Sequence, residues 1–129
     1  MKILIAVKEP GEDWVYQERE TAPTYKELAD LVGWPGHAFC KCEYEFDLVS
    51  NSAPQHEGLE SNITRVVHGS PLDVLRGTVI AVRRDEDGNT ISLQESDKEG
   101  LKRIADSGST NVWADEYGSP TSIGSWFTE

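Results

Sequence analysis

The chain has 129 residues and carries 23 Asp and Glu against 12 Lys and Arg, a net charge of −11. A surface of that sign repels the phosphate backbone of nucleic acid and anionic membrane, and it favours basic partners. With 37 % apolar residues, four Trp, four Tyr and three Phe, the length suffices for a single domain over residues 1–129 with one buried core.

The chain opens with the apolar run Ile3 to Val7, a strand signal. Pro10-Gly11 breaks it and Trp14-Val15-Tyr16 resumes it, so residues 2–19 read as a hairpin. The run is too short for a signal-peptide core, and no stretch approaches the roughly 20 apolar residues of a membrane helix. The expected setting is therefore the cytoplasm. Thr24 stands three residues before Glu27, the spacing at which each side chain satisfies the other's backbone N–H. Tyr25, Leu28, Ala29 and Val32 then share a helical face, and Gly33 and Pro35 end the helix.

Cys40, Cys42, Tyr44, Phe46 and Leu48 alternate with Lys41, Glu43, Glu45 and Asp47, which predicts one strand over 40–48 with a wet face. The cysteines continue its apolar row and read as small buried hydrophobes. Two cysteines on one strand face do not offer the turn spacing of a structural zinc site, and two supply no disulfide framework. Residues 50–58 read as an exposed loop and Ile63 to Val67 as a strand. Ser70-Pro71 reads as a cap and first position of a single helical turn closed by Gly77.

A hairpin follows. Thr78 to Val82 leads through the turn residues Asp85-Glu86-Asp87-Gly88-Asn89 to a returning strand, Thr90 to Leu93. Ser96 and Glu99 repeat the capping-box spacing before a helix that buries Leu101, Ile104 and Ala105. Gly100 inside that helix costs about 1 kcal/mol relative to Ala, and Gly108 ends it. The aromatic segment 109–129, with Trp113, Tyr117, Trp126 and Phe127, is expected to pack on the sheet. This order of elements predicts an α+β fold: a mostly antiparallel sheet of about five strands with two helices packed on one face.

No nucleophile elbow, Walker loop or dinucleotide fingerprint occurs, so no catalytic residue, metal or cofactor is assigned. A hydrolase built on carboxylates and a divalent cation lacks any fixed ligand spacing to support it. The feature that points to function is the carboxylate stripe Glu43, Glu45 and Asp47. Alternate residues on one strand face lie about 6.6 Å apart, the scale of successive phosphates, so a rigid row could occupy an Arg/Lys groove built for nucleic acid. The acidic turn Asp85, Glu86 and Asp87 adds to that partner-binding surface. The alternative is a small-molecule or nucleotide-binding protein, with Trp113, Tyr117 and Trp126 as walls and Arg83 and Arg84 offered to phosphates.

Residues 24–33 (TYKELADLVG) and 77–88 (GTVIAVRRDEDG), with Ser92-Leu93 leading into a short helix, resemble a family of small α+β proteins carried by phages and mobile elements. That family has no assigned catalytic residues. The resemblance implies a compact α+β domain and a viral context, in which small acidic proteins inhibit host machinery. The expectation is therefore a non-enzymatic, phage-type inhibitor of a host nucleic-acid enzyme or defence factor, acting in the host cytoplasm on a basic protein surface.

Overall fold

The computed structural model describes residues 2–33, 37–51 and 58–112. β1 (Ile3–Lys8) and β2 (Val15–Arg19) form the expected hairpin, with Val7 opposite Val15. α1 (Tyr25–Val32) starts as its spacing dictates. Thr24 Oγ1 accepts the Glu27 N–H at 3.1 Å, and Glu27 Oε1 accepts the Thr24 N–H at 2.9 Å. β3 (His37–Cys40), β4 (Asp47–Asn51), β7 (Val79–Arg84) and the short β8 (Thr90–Ile91) complete an antiparallel sheet in the order β2-β1-β7-β4-β3, with β8 on β7. The fold is α+β. A second sheet that the sequence did not announce is made of β5 (Ser61–Val67), β6 (Ser70–Arg76) and β9 (Ser109–Asn111). It runs β6-β5-β9, and β9 joins β5 in parallel.

Strand alternation explains how these layers stack. On β1, Ile3, Ile5 and Val7 join Ile80 and Val82 of β7 and Val49 of β4 beneath Leu28 and Val32 of α1. Leu4 and Ala6 point the other way. With Val79, Ala81 and Leu48 they meet Leu101 and Ile104 of α2 (Asp97–Ser107), and Ile63 and Leu75 of the second sheet. The helices therefore cover opposite faces of the large sheet, which corrects the single helical face expected above. Strands that are apolar on both sides need cover on both sides.

The strand expected over 40–48 is interrupted. Cys40 pairs with Leu48 at the mouth of a hairpin whose connection is residues 41–46. The alternation persists there as burial rather than as strand: Cys42 and Phe46 are buried, and the Tyr44 ring stacks on Phe46 at 5.5 Å. The helical turn expected after Ser70 is β6 instead. His68 (φ 51°) and Gly69 (φ 78°) supply the two left-handed residues of a tight hairpin, and Pro71 is tolerated because β6 is an edge strand. The second capping box is absent: the Ser96 side chain makes no cap bond. The Asp97 carboxylate accepts the Gln94 N–H at 2.8 Å, and Glu99 pairs with Arg103 at 2.7 Å. Of the expected loop 50–58, Ser50 and Asn51 belong to β4. Residues 52–57 lie outside the described residues, as does the aromatic segment from 113 onward.

Candidate functional site

The expected carboxylate stripe is not a stripe. Glu43 is turned to β9, where it accepts the Asn111 N–H at 2.7 Å and the Thr110 hydroxyl at 3.3 Å. Asp47 is buried between Arg84, at 2.8 Å, and Lys41, at 3.4 Å. Glu45 alone of the three is exposed. The regular pitch fails because residues 43 and 45 sit in the β3–β4 connection while residue 47 has entered β4. In the turn after β7, Asp85 Oδ1 accepts the N–H groups of Asp87, at 3.0 Å, and Asn89, at 2.9 Å. Glu86 and Asp87 are exposed.

Arg83 and Arg84, expected to meet phosphates, are engaged inside the molecule. Arg83 forks onto Asp97 at 2.7 and 2.9 Å. Burial pushes the Asp97 carboxyl up, but the Arg83 and Gln94 hydrogen bonds and the nearby guanidinium charge outweigh it and leave it below the ordinary value. Arg84 lies on Asp47, with its guanidinium 3.9 Å from the Phe39 ring centroid. Trp113, Tyr117 and Trp126 lie outside the described residues. Cys40 and Cys42 are both buried, and burial pushes the Cys42 thiol up to about 12. Among the described residues no three His, Cys, Asp or Glu side chains gather to hold a metal ion, and no helix is long and apolar enough to cross a membrane.

The site that the geometry does assemble lies between the layers. A cleft of about 380 Å³ is lined by Lys8 at the end of β1, Gly11, Glu12 and Asp13 before β2, Ser61 and Asn62 of β5, and Ala105 and Gly108 at the end of α2. Lys8 shares the face of Leu4 and Ala6, so its side chain runs into the interface between the two sheets and is 4 % exposed. Its ammonium donates to Asn62 Oδ1 at 2.6 Å, and the Asn62 amide donates to the carbonyls of Lys8, at 2.8 Å, and Gly77, at 2.7 Å. No carboxylate reaches Lys8 within ion-pair distance among the described residues. Burial pushes its ammonium down from the ordinary value, with the Asp13 carboxylate opposing.

The rim of this cleft is acidic. The Glu12 N–H donates to the Glu9 carbonyl, Thr78 donates to the Glu9 carboxylate at 2.7 Å, and the Gly77 N–H donates to the Glu60 carbonyl at 2.8 Å. Glu9, Glu12, Asp13 and Glu60 therefore share one end of the molecule, all exposed and none in an ion pair among the described residues. Ten of the twelve cations are paired with carboxylates elsewhere. The other two, Lys8 and Arg76, donate to Asn62 and to the Leu59 carbonyl.

Sequence reasoning passed over Lys8, although period-2 alternation already placed it on the same face as Leu4 and Ala6. Asn62 carried no such signal, because its place depends on how the second sheet docks. Compared with protein-family models, curated proteins and solved structures, the chain gives no match.

Proposed function

We propose that this is a non-enzymatic acidic binding protein that seats a basic surface of a nucleic-acid-binding partner on its cleft end, and so competes with nucleic acid for that surface. The observation that carries the reading is the distribution of charge around the cleft. Glu12 and Asp13 line a concavity and the exposed Glu9 and Glu60 share its end of the molecule, while the chain's cations are engaged by their own neighbours or by backbone and amide oxygens. Unpaired carboxylates around a concave, low-dielectric wall focus a negative potential, which steers cationic groups and speeds their association. The turn at Glu86 and Asp87 projects from the opposite end of β7, where Lys41, Arg83 and Arg84 temper the local field.

A direct test follows fluorescence anisotropy of a labelled nona-arginine peptide titrated with the protein, and then its displacement by a single-stranded oligonucleotide. Binding should be strong near 50 mM salt and fall steeply toward about 500 mM, because exposed charges are screened over a few ångströms there. Affinity indifferent to salt would overturn an electrostatic footprint.

A further inference from the structure

We propose that Lys8 is a carbonyl-reactive amine, and that the cleft around it captures small neutral aldehydes or ketones as an imine on Lys8 Nζ. The inference goes beyond the basic-partner reading and is independent of it, since it concerns a buried amine rather than the exposed carboxylates.

The geometry that supports it has three parts. Lys8 lines an open cleft of about 380 Å³, enough for a ligand of several heavy atoms. Its nitrogen is anchored by a neutral amide oxygen, Asn62 Oδ1 at 2.6 Å, and by no carboxylate within ion-pair distance among the described residues. A lysine held this way, with little solvent and with the Asp13 carboxylate opposing only from beyond ion-pair distance, keeps more of its population as the neutral amine than a surface lysine does. The desolvation that acts on Lys8 is of this kind. Finally, the lining selects charge: Glu12 and Asp13 repel anions at the rim, and Lys8 repels cations at depth. A neutral carbonyl compound meets neither barrier.

The step balances without any further reagent. The neutral amine attacks the carbonyl carbon, and one N–H proton moves to the former carbonyl oxygen to give a carbinolamine. Loss of water, which takes the second N–H hydrogen, leaves the C=N bond. The proton released and the proton taken up exchange with solvent in the open cleft, so no protein acid or base is required.

The test treats the whole folded chain with glycolaldehyde and the neutral reductant 2-picoline borane near neutral pH, so that hydride traps each imine as a secondary amine. Peptide mass spectrometry then reads the rate at every lysine. Lys8 should be modified at least ~3-fold faster than Lys2, Lys26, Lys41, Lys98 or Lys102, although those side chains are 40–80 % exposed. The preference should disappear in concentrated urea, and an anionic aldehyde such as 4-formylbenzenesulfonate should show less of it. Lys8 reacting no faster than the exposed lysines overturns the proposal. So does a preference that survives unfolding, which would belong to local sequence rather than to the cleft. Neither result bears on arginine-peptide binding.

Discussion

Arg84 donates through Nε to Asp47 Oδ2 at 2.8 Å while its guanidinium covers the Phe39 ring at 3.9 Å. The two residues belonged to different functional expectations, one as a carboxylate for a basic partner and the other as a cation for phosphates. In the folded chain each is the other's partner. Both side chains are largely removed from solvent, 17 % and 10 % exposed, so the pair joins β7 to β4 beside α1 rather than addressing solvent.

Asp47→Ala should therefore destabilise the fold by about 2–3 kcal/mol, because it strands a largely buried guanidinium. Arg84→Ala should cost a similar amount, with the loss of stacking on Phe39 added. The double variant should lose clearly less than the sum of the two, as coupled neighbours do. Urea unfolding of the four proteins measures this. Additive losses would show that the contact carries no coupling energy.

Gly100 has a packing reason that helix propensity does not contain. A Cβ built there would lie 2.9–3.0 Å from three ring carbons of Tyr44, which itself stacks on Phe46. Gly100→Ala should therefore lower stability by about 1 kcal/mol, although propensity alone would raise it by a similar amount. Tyr44→Leu in the same background should recover part of the loss. A thermally stabilised Gly100→Ala protein would contradict this packing.

The Arg83–Asp97 fork predicts a pH dependence of definite sign. The folded-state value of Asp97 lies below the ordinary 3.8, so the contact contributes stability above that ordinary value and loses it as pH falls through the depressed one. The stability gap between the native chain and Asp97→Asn should be full near pH 7 and should close progressively below about pH 4. A gap that stays constant into acid would mean that the carboxylate charge is not what Arg83 holds.

Cys42, with its thiol pushed up to about 12 by burial, should resist iodoacetamide in the folded protein at mildly alkaline pH, since the thiolate is the reactive form. Cys40 is buried and also raised, and should behave alike. Rapid alkylation of either before unfolding would show an opening that this core does not contain.

Local signals were legible in the sequence where a single element sets the answer. The Thr24–Glu27 box, the β1–β2 hairpin and the Gly108 cap (φ 71°) are all where short-range chemistry puts them. Alternation failed at 40–48 because buried and exposed side chains can also alternate around a wide connection that folds onto the core. The second sheet was illegible because it depends on a left-handed residue at His68 and on parallel pairing of β5 with β9, residues some forty-five apart in the chain. Lys8 was readable on its strand face, but its cleft was not, since the lining comes from β1, the connection to β2, β5 and α2 together. Residues near in sequence are poor guides to such a site.

The central claim, that the cleft end rather than overall charge meets a basic partner, is tested most directly by two variants with equal loss of charge. One is Glu9→Gln with Glu12→Gln and Asp13→Asn; the other is Glu45→Gln with Glu86→Gln and Asp87→Asn. Each removes three negative charges from exposed positions, where single changes alter stability by no more than about 0.5 kcal/mol. Affinity for the nona-arginine peptide at low salt should fall about tenfold or more in the first variant and no more than about threefold in the second. Equal losses, or a larger loss in the second, would contradict the account and leave net charge or the β7–β8 turn as the determinant.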